Sequence, residues 1–362
     1  MSNPPVAVQK LGQSLWYDNI QRRLLEDGSF QRLIDQCGVL GVTSNPSIFQ
    51  KAIGESSDYD RAIATMLDWP VAEIYERLAI ADIRQATDML LPVYKQTNGV
   101  DGYVSLEVSP ELARRTAETI SEAKRLFKAI GRPNAMIKIP ATSEGIPAVA
   151  EAIFAGVNVN VTLIFSIENY AQVAEAYIQG LERRLAAGLD VTRIASVASF
   201  FISRIDTLVD SMLPPDHALR GKAAVASAKL AYQHFQKIFY GERFARLRQA
   251  GAFVQRPLWA STSTKNPTYS PTIYVDTLIG KDTVNTVPPQ TLVAFQAQGK
   301  AESATILDDI AEAQTVFDQL AQAGVDMAQV TQKLQNDGVI AFARSFEELL
   351  KQIEVKRQTL QR

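Results

Sequence analysis

The sequence predicts an α/β fold, a single (β/α)₈ TIM barrel with extra helices. Three observations carry this: about eight short apolar or β-branched runs, longer segments of helical periodicity between them, and no run leading into a dinucleotide or phosphate-loop fingerprint. The last of these favours a barrel over a doubly wound sheet.

The expected strands cover 15–18, 39–43, 103–108, 135–140, 157–165, 194–200, 257–261 and 274–278. Between them, 71–94 repeats apolar residues Tyr75, Ala79, Ile83, Ala86, Leu90 and Val93 at helical spacing. Segments 110–130 and 167–187 behave alike, and Pro110 suits the first turn of its helix. The long gaps after the second and sixth strands call for extra helices. From about 303 to 358 the chain reads as a helical C-terminal extension, with turns at 323–324 and at Asn336-Asp337-Gly338. No linker or internal repeat divides it, so one domain over 1–362 is expected.

Composition narrows the function classes. A 46% hydrophobic chain of 362 residues can bury a large core. Lys+Arg (37) nearly balance Asp+Glu (39), with no basic block to neutralise a phosphate backbone, so nucleic acid is not an expected partner. A single cysteine, Cys37, excludes an intrachain disulfide and a cysteine-held metal, and fits a reducing compartment. Neither a signal-peptide pattern nor a run approaching the roughly 18 apolar residues of a membrane span occurs. A cytoplasmic protein without membrane contact is expected, as monomer or homodimer. The two histidines, His217 and His234, share one helix-like stretch and cannot build a histidine-rich metal site. No metal and no cofactor are expected; acid–base work falls to carboxylates, tyrosines or a lysine.

Barrel active sites sit at the C-terminal ends of strands, and alternate strand residues point inward. In AMIKIPAT (135–142) that rule sends Ile137 and Ile139 toward helices and Lys138 inward. In VNVNVT (157–162), Asn158, Asn160 and Thr162 share a face. Other strands end in Asp18, Asn45, Glu107, Ser199 and Ser261. Each has a structural alternative: Lys138 snorkelling from an edge, Asp18 capping the helix that follows, Asn45 making a turn before Pro46, Glu107 facing solvent, Arg204 and Lys265 as solvated charges. Solvation of single residues does not predict that the polar groups fall at the ends of different strands. One lysine, two carboxylates and several amides or hydroxyls at one mouth form an inventory for covalent catalysis.

At these residues the chain resembles the transaldolase family. GVTSNPSIF (41–49) resembles its first signature, and IKIPATSEGIPAVAEAIFAGVNVNVTLIFS (137–166) the segment carrying its Schiff-base lysine. RPLWASTSTKNP (256–267) and YVDTLIGKDTVNTVP (274–288) resemble the subfamily also found fused to glucose-6-phosphate isomerase. The resemblance runs from about 12 to 353 and implies a class I aldolase-like barrel acting on sugar phosphates. It places the Schiff base on Lys138, the acid–base aspartate on Asp18, the second carboxylate on Glu107 and the water-holding threonine on Thr162. It makes Asn45 and Asn160 donor-orienting, and Ser199, Arg204 and Ser261 phosphate-binding. Many members carry an arginine where Ser263 stands, which leaves Lys265 as the nearest cation.

The implied reaction forms an iminium between Lys138 and a ketose phosphate, cleaves C3–C4 with Asp18 as base, and passes the dihydroxyacetone unit to an aldose phosphate. An amine attacks a ketone only when neutral, and burial with few counter-charges is expected to favour that form. Two alternatives remain: a fructose-6-phosphate aldolase that releases dihydroxyacetone, against which Glu107 argues, and a non-catalytic sugar-phosphate-binding barrel.

Overall fold

The computed structural model describes residues 3–361. Eight parallel strands close into a barrel in sequence order: β1 (Gln13–Tyr17), β2 (Gly41–Val42), β3 (Tyr103–Glu107), β4 (Ala135–Pro140), β5 (Val159–Ile164), β6 (Ser196–Phe201), β7 (Arg256–Ala260) and β8 (Thr283–Val287). β8 closes on β1 through the register Gln13↔Thr283 to Tyr17↔Val287. Every strand is buried on both faces, as helices covering a parallel barrel require, with Trp16, Phe200 and Trp259 fully enclosed.

Seven strands lie where the sequence places them, give or take their ends; the eighth does not. The expected 274–278 is a short helix, Ile273–Asp276, and the strand is the following Thr283–Val287. TVNTV has only two apolar residues, while the richer YVDTLI run before it folds back, with Tyr274 Oη donating to Asp206 and Tyr274 O accepting from Asn285. Segment 110–130 also divides, into a 3₁₀ turn Pro110–Leu112 and the helix Thr116–Ile130. The carbonyls of Leu112 and Ala113 are taken by the hydroxyls of Thr119 and Thr142, which compete with helix hydrogen bonds.

The extra helices fall in the expected gaps: Pro46–Phe49 through Val71–Gln96 between β2 and β3, and Ser203–Met212, Ala223–Phe239 and Glu242–Gln249 between β6 and β7. The C-terminal extension forms Ile310–Gln322 and Met327–Leu360, joined at the expected turn around Gly324. No second turn occurs at Asn336-Asp337-Gly338; the helix runs straight through. Its glycine serves packing instead, because a Cβ on Gly338 would lie 2.9 Å from Leu163 Cδ2. This last helix lays Phe342, Phe346 and Leu349 across the C-terminal end of the barrel, so the extension is part of the site's roof.

Candidate active site

Strand register assembles the centre. Glu107 pairs with Lys138, Lys138 with Asn160, and Pro140 with Thr162, so neighbouring strands bring Glu107, Lys138 and Asn160 to one level and Thr162 to the next inward position above it. Lys138 is buried in the barrel; its Nζ donates to Ser44 O at 2.9 Å and stands 3.6 Å from Glu107 Oε2. Phe342 of the last helix closes over it, ring centroid 5.9 Å from Nζ. The expectation of few counter-charges is therefore corrected: β3 sets a carboxylate directly beside the amine. Burial pushes Glu107 up to about 7, against the opposing pull of Lys138. A carboxyl that holds a proton near neutrality beside a lysine is a partner with which the amine can exchange one.

Asp18 lies just past β1 and does not cap the helix Arg22–Glu26, which begins after Gln21. Its Oδ1 accepts from Thr43 Oγ1 at 2.6 Å, and that hydroxyl meets Thr286 Oγ1 at 2.6 Å. Since Thr43 spends its proton on Asp18, Thr286 is the donor to Thr43. Desolvation raises Asp18 above the usual carboxylate range, while Thr43, Lys138 and Lys265 oppose it. The result is a held, moderately strengthened base.

Asn160 Nδ2 donates to Ser105 Oγ at 3.0 Å, and Ser199 Oγ donates to Asn160 Oδ1 at 2.7 Å. Ser199 is thus tied to Asn160 as well as lining the mouth. Asn158, expected on the same face, ties the lower ends of β4 to β6 through Pro133 O, Ala135 O and Ala195 N. Asn45 is a turn residue and more: it caps Pro46–Phe49 through Oδ1 and also borders the site.

A cavity of about 670 Å³ spans the mouth, lined by Asp18, Asn45, Lys138, Thr162, Ser199, Arg204, Ser261 and Lys265. Arg204, Lys265 and Lys51 face it, and none has a carboxylate within salt-bridge distance among the described residues. Desolvation and the charges of Arg204 and Lys51 push Lys265 below its ordinary range, and its Nζ donates to Ser263 Oγ at 2.8 Å. Cations held together without acidic partners suit a phosphate. Lys51 escaped the sequence reading because it sits on a π-helical turn, Gln50–Gly54, whose placement depends on tertiary packing.

Two non-glycine residues at the mouth have left-handed backbone: Leu163 (φ 61°) after Thr162, and Ser261 (φ 57°) after β7. At Leu163 the β5–β6 register shifts, and Gln335 of the last helix donates to Leu163 O at 3.2 Å. Such strain persists where the surroundings enforce it, here on either side of the candidate substrate cavity.

Glu107 differs from the expected common mouth. It reaches Lys138 but borders a second cavity, of about 220 Å³, rather than the first. β2 is short and pairs with β3 only at Gly41↔Tyr103 and Val42↔Val104. Beyond it Ser44 continues the contact, its Oγ donating to Ser105 O at 2.7 Å, and Ser44, Glu107 and Ser109 border the second cavity.

The family described as Transaldolase/Fructose-6-phosphate aldolase matches residues 15–353. A protein named Transaldolase from Trichodesmium erythraeum is 44% identical, with 99% of each chain covered. Transaldolase 2 of Nostoc punctiforme is likewise 44% identical over 99% of each chain, and a Transaldolase of a Parafrankia species is 46% identical over 97% of each. A family match over nearly the whole length, together with relatives of this identity, means that the chain belongs to the transaldolase/fructose-6-phosphate aldolase family.

Proposed function

We propose that this barrel is a transaldolase. It moves a dihydroxyacetone unit from fructose 6-phosphate or sedoheptulose 7-phosphate to erythrose 4-phosphate or glyceraldehyde 3-phosphate, as in the non-oxidative pentose phosphate pathway. The observation carrying the reading is a buried lysine with one carboxylate at 3.6 Å and a second, Asp18, within coulombic reach, below a cation rim.

Lys138 attacks C2 of the ketose, and Glu107 gives the proton with which the carbinolamine hydroxyl leaves as water. Thr162 Oγ1 and Glu107 Oε2, both buried without a hydrogen-bond partner among the described residues, are the groups to hold that water. Asp18 takes the proton from the C4 hydroxyl; C3–C4 breaks, its electrons enter the iminium, and an enamine remains on Lys138. The aldose phosphate leaves, and an acceptor aldehyde takes the unit by the reverse steps. Asn45, Asn160 and Ser199 hold donor hydroxyls, a positioning role. Arg204, Ser261 and Lys265 hold the phosphate, with Lys265 in place of the arginine that Ser263 replaces.

The chain acts as one domain, as a monomer or homodimer, in the cytoplasm and without nucleic acid; among the described residues no helix is long and apolar enough to cross a membrane. The test supplies fructose 6-phosphate with and without erythrose 4-phosphate. Transfer to sedoheptulose 7-phosphate should far outrun release of free dihydroxyacetone; equal release without acceptor would instead make the protein an aldolase.

A further inference from the structure

The second cavity is bordered by none of Asp18, Lys138, Arg204 and Lys265. It begins at Glu107 and Ser109, whose Oε2 and Oγ are both buried and unpartnered among the described residues. It runs outward between the helices Val71–Gln96 and Thr116–Ile130 to a rim that includes the exposed Ala72 and Glu111. Tyr75 and Phe346 wall it, their rings edge to face at 5.2 Å. Lys138 and Asp18 border only the larger cavity and Glu107 only this one, so the lysine–glutamate contact lies where the two meet.

We propose that this side cavity is the water route of the imine chemistry: a lateral passage through the barrel wall beside β3, serving Glu107 while the sugar fills the mouth. The inference rests on the Schiff-base reading above. Imine formation releases one water when the C2 hydroxyl leaves with the proton of Glu107; hydrolysis takes one back, with Glu107 recovering that proton as the water adds to C2, after which the C–N bond of the carbinolamine breaks and its hydroxyl proton passes to the leaving nitrogen. A phosphorylated sugar seated on Lys138 with its phosphate at the cation rim stands between the amine and the solvent above. Water on the sugar's path would meet the enamine, whereas water arriving from the side passes Glu107 first. Glu107 and Ser109 at one end and Glu111 at the exposed rim provide hydrogen-bonding groups at the two ends of a passage whose walls between them are largely apolar.

The experiment follows exchange of the C2 oxygen of fructose 6-phosphate with ¹⁸O-labelled water, without acceptor, using the full-length protein and subtracting the enzyme-free rate. Ala72→Trp plugs the outer end at an exposed position, and Ala79→Leu narrows the inner wall. Exchange should fall about tenfold in Ala72→Trp, part of the roughly 10²-fold or more that positioned proton transfer contributes, with KM for fructose 6-phosphate unchanged. Borohydride trapping in the same samples should slow in parallel. If wild type traps an adduct on Lys138 but both variants exchange at the wild-type rate, the passage is overturned and the imine reading stands. If wild type traps none, both are overturned.

Discussion

Among the described residues the barrel holds two buried cation–carboxylate pairs, one at each end, and they are built oppositely. At the N-terminal end Arg256, the first residue of β7, meets Asp101 at 2.9 Å. Its guanidinium also donates to Ser14 Oγ and Val100 O, while Asp101 also accepts from Ser14 and Trp16. At the C-terminal end Lys138 and Glu107 stand 3.6 Å apart, with one hydrogen bond to Ser44 O and a carboxylate oxygen left unpartnered among the described residues. A saturated pair fixes strand ends and can do no chemistry; an unsaturated pair can hand over a proton and accept a new bond. One fold holds the first to keep the second in place.

The largest effect should come from removing the reactive cation. Lys138→Met is expected to lower kcat at least about 10⁴-fold, since in the proposed mechanism no other group supplies the covalent step. Its melting temperature should change little, because Glu107 can take up a proton when left alone. The matching change at the other end, Arg256→Met, should reverse the pattern. It leaves Asp101 buried and unpaired, at a cost of about 3–5 kcal/mol in urea unfolding, with kcat per folded molecule unchanged. Equal stability losses in the two variants would erase the distinction.

Glu107→Gln comes next, with kcat down about 10²-fold as proton donation is lost. It also carries a pH signature. Burial raises Glu107 from its ordinary 4.5 to about 7, so between those values the folded protein holds a proton the unfolded chain has released. The stability this contributes is full below about 4.5 and lost as pH rises through about 7. Urea titrations of Glu107→Gln should lack that decline; its persistence would assign the proton elsewhere. The smallest effect is at the rim: Lys265→Met should raise KM for sugar phosphates about tenfold, the worth of one charge-assisted hydrogen bond, with kcat nearly constant. An unchanged KM would give the phosphate to Arg204 and Lys51.

The reactive end was more legible in the sequence than its surroundings. Lys138 stood out because strand alternation forces a residue between Ile137 and Ile139 to face inward. Asn160 and Thr162 followed from the same periodicity, and Asp18 from its place at the end of a strand. What stayed hidden depends on contacts between distant segments. β8 was passed over because a more apolar run precedes it and folds into a helix around Tyr274. Asn336-Asp337-Gly338 has the local chemistry of a turn, yet Leu163 packing on Gly338 makes it the interior of a helix. Phe342 over Lys138 and Lys51 at the rim depend on how helices seat on the mouth. That Glu107 borders a separate cavity depends on the helices packed beside β3, which residue patterns in β3 do not encode.

Reductive trapping tests most directly whether Lys138 carries the substrate covalently, as proposed. Wild-type protein treated with fructose 6-phosphate and borohydride, then digested and mass-mapped, should carry a sugar-derived adduct on the peptide containing Lys138, and Lys138→Met should carry none. An adduct on another lysine, or a fully active enzyme that traps nothing, would contradict it.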